Sequence, residues 1–321
     1  FLTFSTVFNN YFIPKQITDL VQSTEKEQES YSIRRGDVFV TRTSETSDEL
    51  GMSCVALKDY PMATYNGFTK RMRPITNRVF PEYIGYYMRL PSFRGEFRAF
   101  STMTTRASLR NEDLLGLEVE LPPIEIQKQI AEILTTYDDL IENNQKQIKL
   151  LEEAAQRLYK EWFVDLRFPG HENTKIVDGV PEGGRRGLLK ELISVNYGRD
   201  HKKAPDDGNI PVYGSGGLMR KCNKSLFSGE AVLIPRKGSL NNIMYVDETF
   251  WTVDTMFYAT MKQPHTAVFV YFFVRAFDMY SMNIGAAVPS MTAKILDAMD
   301  VVIPDKETLE KFDKRTKTYF N

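Results

Sequence analysis

The chain has 321 residues, enough for two domains of ordinary size, and its 42% hydrophobic and 26% charged residues are typical of soluble globular proteins. The longest apolar run, residues 267–274, is too short to cross a bilayer, and no charged-then-apolar leader opens the chain. We therefore expect a cytoplasmic protein without a membrane partner. Two cysteines cannot make a disulfide framework, and three widely spaced histidines argue against a metal site.

Charge is distributed unevenly along the chain. The net charge of −1 by itself argues against a nucleic-acid-binding protein, because such domains are often strongly basic. Between residues 64 and 110, however, nine Lys or Arg residues accompany only two acids, and between residues 185 and 237 eleven accompany five. The stretch 121–170 has six bases and nine acids. Two basic regions thus flank an acidic connector.

Short apolar or alternating runs, helical patterns and Gly-rich turns predict an α+β fold. In chain order we predict a strand at Val38–Thr41, an aromatic-rich helix at Tyr83–Leu90, a long helix at Ile124–Phe163, a tight turn at Gly214–Gly217, strands at Ala231–Pro235 and Asn242–Val246, and a second aromatic-rich helix at Phe269–Phe277. We expect the two aromatic-rich helices to pack on the strands of their own half.

The two halves of the chain resemble each other. Arg35–Val40 resembles Ser228–Leu233, Tyr83–Arg89 resembles Phe269–Arg275, Ala107–Leu109 resembles Pro289–Met291, and Leu121-Pro122 resembles Ile303-Pro304. The pairs keep their order, at offsets of 193, 186, 182 and 182 residues. A slowly shrinking offset is expected of two diverged copies with insertions in their loops, so the sequence indicates an internal duplication.

The connector between the copies is the clearest predicted element. No Gly or Pro occurs from Ile124 to Phe163, and Pro122-Pro123 precede this stretch, as at many helix starts. A heptad seam runs along it, made of Ile130, Leu134, Tyr137, Ile141, Asn144, Ile148, Leu151, Ala155, Leu158 and Trp162. A helix of roughly 38 residues is about 57 Å long at ~1.5 Å per residue, longer than a small domain is wide, so we expect the seam to pair with another helix. Asn144 either fixes the register of that pairing or is an ordinary surface residue.

Two motifs in this connector resemble the central conserved region of the specificity subunits of type I restriction–modification systems. Residues 121–134 (LPPIEIQKQIAEIL) resemble its start, and residues 158–165 (LYKEWFVD) followed by 167–170 (RFPG) resemble its end. The resemblance implies two target-recognition domains held apart by long antiparallel helices, each domain reading one half of a bipartite double-stranded DNA site. It also implies two methyltransferase subunits, which hold S-adenosylmethionine, and restriction/translocase subunits as partners, with no cofactor in this chain.

The resemblance divides the chain into four parts. We expect a first target-recognition domain at residues 1–121, truncated at its N-terminus, and the long heptad helix at 122–168. A second target-recognition domain is expected at 169–303, and the start of a second conserved helix at 304–321. The first copy continues for some forty residues past Pro122, whereas the second ends about seventeen residues past Pro304. This second helix is therefore expected to be cut short.

Motifs of the associated chemistry are absent from the sequence. The chain has neither the Asn/Asp-Pro-Pro-Tyr/Phe loop nor the Gly-rich cofactor turn expected of an amino-methyltransferase, and Gly214–Gly217 lacks the Lys-Ser/Thr of a phosphate loop. It has no Gly-x-Ser-x-Gly elbow either. The acidic pairs Asp138-Asp139 and Glu152-Glu153 fall on polar faces of the long helix. We expect a non-catalytic subunit.

Basic residues in the two halves are the candidate DNA contacts. Lys and Arg neutralise phosphates, and Arg also suits the guanine edge. The candidates are Lys70, Arg71, Arg73, Arg94, Arg98 and Arg106 in the first half, and Lys202, Lys203, Arg220, Lys221, Lys224, Arg236 and Lys237 in the second. Taken singly, each of them is better explained as a solvated surface charge, but their clustering in equivalent halves supports the group.

Three functions remain open at this point. The first is recognition of a bipartite DNA site by a specificity subunit that directs methyltransferase and restriction subunits. The second is a two-domain coiled-coil scaffold that does not bind DNA, and the third is the recognition subunit of a fused cleavage and methylation system. Binding to duplex DNA that weakens with salt separates the first function from the second, because phosphate contacts release counterions.

Overall fold

The computed structural model describes residues 1–44, 49–99, 102–103, 107–282 and 289–320, without the side chains of residues 97–99, 102–103, 107 and 203. The predicted α+β class is confirmed. The chain divides into two compact units, Phe1–Asn143 and Asn144–Asn321. The division falls inside the long helix, so each unit contains a part of that helix.

The first unit combines short helices with short strands. Its helices are α1 (Phe4–Asn9), α2 (Glu25–Ser30), α3 (Pro81–Tyr87), α4 (Pro91–Ala99), α5 (Asn111–Leu115) and the first part of α6 (Ile124–Tyr159). Its strands are β1 (Val38–Thr41), β2 (Thr43–Ser44), β3 (Ser53–Val55), β4 (Thr69–Met72), β5 (Thr102–Met103) and β6 (Ala107–Ser108). The predicted strand at Val38–Thr41 is confirmed.

The core of the first unit forms on both faces of β1. This strand lies between β3 and β4 in an antiparallel sheet, and all four of its residues are buried. Successive side chains of a strand point to opposite faces. Val38 and Val40 therefore pack with Ile84 of α3, whereas Phe39 packs on the other side with Val7 of α1.

The second unit is built on a larger sheet. Its strands are β7 (Ile176–Val177), β8 (Val180–Pro181), β9 (Arg185–Leu188), β10 (Ile193–Tyr197), β11 (Ile210–Gly214), β12 (Gly217–Cys222), β13 (Phe227–Pro235), β14 (Met244–Thr252), β15 (Met256–Met261) and β16 (Asp300–Ile303). Its helices, besides the second part of α6, are α7 (Ala267–Arg275), α8 (Ala293–Asp297) and α9 (Lys306–Phe320). Six strands form one sheet in the order β10-β15-β13-β14-β11-β12, and β16 pairs with β9.

The central strand β13 repeats the role of β1. Val232 and Ile234 pack in the cluster that contains α7, and Ala231 and Leu233 pack in a second cluster on the opposite face. Residues 267–274 of α7 are all buried, which explains why the longest apolar run of the sequence lies there. Among the described residues, no helix is both long enough and apolar enough to cross a membrane.

The structure contains the predicted duplication. A central strand, a helix that packs on it, a short helix and a long helix recur in the same order, as β1, α3, α5 and α6 in the first unit and as β13, α7, α8 and α9 in the second. Two predicted strands differ from the structure in their bounds: β13 begins at Phe227 rather than Ala231, and β14 begins at Met244 rather than Asn242 and extends to Thr252. The main chain turns at residues 238–243, where Asn242 N–H donates to the Ser239 carbonyl, and this turn delays β14.

The long helix α6 begins at Ile124, directly after Pro122-Pro123, as predicted. It continues past Tyr159 as a single π-helical turn, Lys160–Val164. Its C-terminal end packs into the core of the second unit, where Trp162 and Phe163 lie against Phe312 of α9, with ring centroids 5.8 and 4.9 Å apart. The segment expected to start a second conserved helix is thus helical and packs on the end of α6.

We predict that Phe312→Ala lowers the free energy of unfolding of the second unit by about 3–5 kcal/mol, because Phe312 is fully buried and its removal leaves a cavity. Ile148→Ala, which removes an apolar residue 59% exposed on α6, should change it by less than about 0.5 kcal/mol. Both tryptophans, Trp162 and Trp251, lie in the second unit, so their fluorescence during urea unfolding measures this stability. Equal losses in the two variants would show that the exposed part of α6 is buried in solution.

Candidate nucleic-acid interface

Arg73 in the first unit is bound to a buried carboxylate. Its Nε and one terminal nitrogen donate hydrogen bonds to the two carboxylate oxygens of Asp37, each at 2.6 Å. Asp37 is fully buried at the start of β1, and its hydrogen bonds raise the pKa of the Arg73 guanidinium above its usual value. Arg73 also donates to the Ser32 carbonyl at 3.1 Å. This side chain therefore holds the segment after β4 against the start of β1.

Other candidates of the first unit also donate to the protein itself. Arg71 donates to the Ser32 carbonyl at 2.5 Å and lies over the Tyr65 ring, and Arg94 donates to the Leu50 carbonyl at 2.6 Å. Lys70 donates to the Asn111 side chain, and burial together with the nearby charge of Arg42 lowers the pKa of its ammonium group. The side chain of Arg98 and the whole of Arg106 lie outside the described residues.

In the second unit, Arg220 stabilises a loop. Its guanidinium donates to the carbonyls of His201 and Ala204 and to the carboxylate of Asp206. These acceptors belong to the segment between β10 and β11, so Arg220 of β12 fixes that segment. The side chain of the predicted neighbour Lys203 lies outside the described residues.

Four predicted lysines of the second unit are exposed: Lys202, Lys221, Lys224 and Lys237. Within the described part of the chain, their ammonium groups have no hydrogen-bond or ion-pair partner. Arg236 is only partly exposed, because its guanidinium lies 5.4 Å from the centre of the Tyr197 ring and donates to the Asp254 carbonyl at 3.2 Å. The four lysines are thus the predicted basic residues best placed to meet a polyanion.

An apolar hairpin tip lies in the same unit. The predicted tight turn at Gly214–Gly217 is confirmed between β11 and β12, and Leu218 and Met219 just after it are 60% and 54% exposed. The hairpin rests on the β13–β14 loop, because Asn242 donates from its side chain to the Ser215 carbonyl at 2.8 Å. The sequence pattern identified the turn but not its exposed apolar residues, although two adjacent strand residues cannot both face the core.

The heptad seam of α6 is packed at one end only. Ala155, Leu158 and Trp162 pack into the core of the second unit. The remaining seam residues, Ile130, Leu134, Tyr137, Ile141, Asn144, Ile148 and Leu151, are exposed, the apolar ones by 37% to 63%. An uncovered apolar stripe of this kind is typical of a protein-binding surface.

The N-terminal end of α6 docks on the first unit. Gln127 is fully buried, and its side-chain amide donates to the carbonyls of Arg78 and Pro122 at 2.9 and 2.8 Å, while its oxygen accepts from the Phe80 N–H at 2.9 Å. One turn later, Ala131 is buried as well. Gln127 lies seven residues before Leu134, at the heptad spacing of the seam, but its polar side chain does not predict a buried position.

In the described residues, neither the cysteines nor the carboxylates are grouped in a way that suggests a reactive centre. Cys54 and Cys222 are both buried and unpaired, and burial raises the pKa of the Cys54 thiol to about 12. That thiol is therefore protonated at neutral pH and is a poor nucleophile. The described part of the chain contains no group of three or more His, Cys, Asp or Glu residues placed to hold a metal ion.

Comparison with known proteins identifies the family. The family model of the type I restriction modification DNA specificity domain matches residues 3–153 and 188–319, in agreement with the internal duplication. The chain therefore belongs to this family.

Individual relatives agree with this assignment. The MjaIX specificity subunit of Methanocaldococcus jannaschii is 30% identical over 179 residues, 54% of this chain and 40% of that protein. The HindI specificity subunit of Haemophilus influenzae is 27% identical over 169 residues, 51% of this chain and 35% of that protein. The matches thus span less than half the length of these relatives. A crystal structure of the S subunit of a type I system from M. genitalium shares the fold, with a TM-score of 0.56 at 16% identity over 91% of this chain and 78% of that one.

We predict that Arg73→Ala destabilises the first unit by about 2–4 kcal/mol, because it leaves the buried Asp37 carboxylate without its cation. Arg78→Ala, which removes an exposed arginine of the same basic stretch, should change stability by less than about 0.5 kcal/mol. Hydrogen exchange of the β1 amides measures the difference. Similar protection in both variants would mean that the Arg73–Asp37 pair contributes nothing to the fold, and that Arg73 is available to a ligand.

Proposed function

We propose that this chain recognises a bipartite double-stranded DNA sequence and directs the methyltransferase and restriction subunits of a type I restriction–modification complex to it. The observation that carries the proposal is the presence of two DNA specificity domains in one chain, matched separately at residues 3–153 and 188–319. Two similar domains of different sequence suit two half-sites of different sequence. Such a protein would act in the cytoplasm, the compartment that holds the duplex.

The exposed lysines of the second unit support DNA as the ligand. Lys202, Lys221, Lys224 and Lys237 carry positive charge that no described carboxylate neutralises. Phosphate contacts supply most of the sequence-independent affinity for DNA, and lysine is suited to them as a point charge. The exposed Leu218 and Met219 add an apolar hairpin tip of the kind that can contact thymine methyl groups or wedge between base steps.

The exposed stripe of α6 supports protein partners. Its apolar residues lie at heptad spacing from Ile130 to Leu151, which suits helices packed alongside. We assign this surface to a second conserved helix and to the methyltransferase subunits. The two ends of α6 dock on their own units, through Gln127 at one end and Trp162 at the other, and the seam residues between them, from Ile130 to Leu151, stay exposed.

In this proposal the chain positions its partner subunits on the DNA and does not itself catalyse the reaction. S-adenosylmethionine would be held by the methyltransferase subunits, which would extrude an adenine from each half-site for reaction. The residues of this chain would bind the phosphates, read the bases and orient the partners. A fused cleavage and methylation system would need the same recognition chain, and the identity of the co-purifying subunit separates the two cases.

The function is tested by expressing the chain with its neighbouring methyltransferase subunit and sequencing the methylated genome. We expect methylation at one bipartite motif, and none when either subunit is omitted. A scaffold without DNA-reading activity would leave the methylation pattern unchanged when the chain is removed. S-adenosylmethionine turnover by the homogeneous chain alone would contradict the non-catalytic assignment.

We also predict that a Lys221→Ala, Lys224→Ala, Lys237→Ala triple variant binds duplex DNA more weakly and with a flatter salt dependence, by about one unit of log–log slope for each phosphate that the variant no longer neutralises. The matched control replaces Lys15, Lys26 and Lys175, which are also exposed but lie outside both basic regions. Filter binding or fluorescence anisotropy at several salt concentrations gives both slopes. Equal slopes in the two triple variants would show that the basic face of the second unit points away from DNA.

A further inference from the structure

One arginine in each unit is held by the same main-chain contacts. In the first unit, the Arg42 N–H donates to the carbonyl of Phe68, the residue just before β4, at 2.9 Å. In the second, the Arg236 N–H donates to the carbonyl of Thr255, the residue just before β15, at 2.8 Å. Each arginine directly follows the central strand of its unit, β1 or β13.

The equivalence extends to the opposite side of the same segment. The Arg42 carbonyl accepts from the Leu109 N–H at 2.9 Å, and the Arg236 carbonyl accepts from the Met291 N–H, also at 2.9 Å. The residue after each arginine then pairs antiparallel with a serine, Thr43 with Ser108 and Lys237 with Ser290. Arg42 and Arg236 therefore occupy the same position of the duplicated fold.

The sequence comparison did not pair these two residues. The sequence offset of 193 found for the central strands aligns Arg42 with Pro235. The main-chain contacts require an offset that is one residue larger, which aligns Arg42 with Arg236. The pairing of Thr41 with Thr69 in β1–β4 corresponds to that of Pro235 with Met256 in β13–β15. The main-chain hydrogen bonds, and not the sequence offset, show that the two arginines are equivalent.

A second positive charge lies near each arginine. Arg42 is exposed, without a hydrogen-bond or ion-pair partner in the described residues, and its charge acts on the Lys70 ammonium. Arg236 is followed directly by the exposed Lys237. Two positive charges in one region both attract an anion. The second charge comes from the facing strand β4 in the first unit and from the next residue of the chain in the second.

We propose that Arg42 and Arg236 are equivalent phosphate contacts, each binding the DNA backbone at the same place of its own half-site; this rests on the proposed function. Two domains that read different base sequences can share a contact only with the part of DNA that does not vary, which is the sugar–phosphate backbone. A residue that read base edges would not need an equivalent partner in the other domain.

The test compares four variants of the chain assembled with its methyltransferase subunit. Arg42→Ala and Arg236→Ala remove the charge, whereas Arg42→Lys and Arg236→Lys keep it without the forked geometry that reads guanine. The matched controls are Arg34→Ala, an exposed arginine before β1 rather than after it, and Arg186→Ala, an exposed arginine of β9. Circular dichroism confirms that each variant is folded before its binding is measured.

Each alanine variant should weaken DNA binding about 10-fold or more at low salt and flatten the log–log salt dependence by about one unit. The decrease should be the same for a duplex with the target motif and one without it, the lysine variants should bind nearly as the parent does, and the methylated sequence should not change. The control variants should bind like the parent.

Two results would overturn the inference while leaving the proposed function intact. The first is a parent complex that methylates its motif while both alanine variants bind unchanged, which would place the phosphate contacts elsewhere. The second is an altered half-site sequence in the methylome of an alanine or lysine variant, which would make that arginine a reader of bases. Failure of the parent complex itself to bind DNA would instead reject the proposed function, and this inference with it.

Discussion

The aromatic packing at the C-terminal end of α6 is the interaction on which the second unit depends. Phe163 lies 4.8 Å from Phe269 of α7 and 4.9 Å from Phe312 of α9, measured between ring centroids. A single helix with an uncovered middle has little stability of its own in water, so tertiary packing must supply it. Because α7 in turn packs on β13, this one cluster fixes the long helix, α9 and the central sheet together.

The N-terminal end of α6 is fixed by different chemistry. Gln127 satisfies three main-chain groups of the first unit, and a buried carbonyl or N–H left without such a partner would cost about 1–3 kcal/mol. These hydrogen bonds require one orientation of the amide, whereas apolar packing tolerates small rotations. Gln127 lies one heptad before Leu134, at the N-terminal end of the seam. Both ends are therefore held while Ile141 and Ile148 remain exposed.

The sequence predicted the elements better than the candidate site. The start of α6 and the limits of β1 follow from local signals, a Pro-Pro pair before a stretch without Gly or Pro and a short apolar run. Whether a basic residue faces DNA or the protein depends on groups far along the chain. Arg73 and Lys221 are both basic residues in basic stretches of the sequence. Asp37, which is 36 residues away from Arg73, is buried next to it and accepts its hydrogen bonds. No local pattern contains that information.

Several of the described arginines bind the protein itself, whereas several of the lysines are exposed. Arg73, Arg89, Arg94 and Arg220 donate to carbonyls or carboxylates of the protein, whereas Lys202, Lys221, Lys224 and Lys237 stay in solvent. A guanidinium is weakly hydrated and offers five fixed donors, so it stabilises a fold at moderate cost, while an ammonium is strongly hydrated. Arg42 is exposed, as Arg34, Arg78 and Arg186 are, but it lies in a main-chain position that the fold repeats at Arg236. The repeated main-chain position, rather than the exposure, is what supports a ligand common to both units.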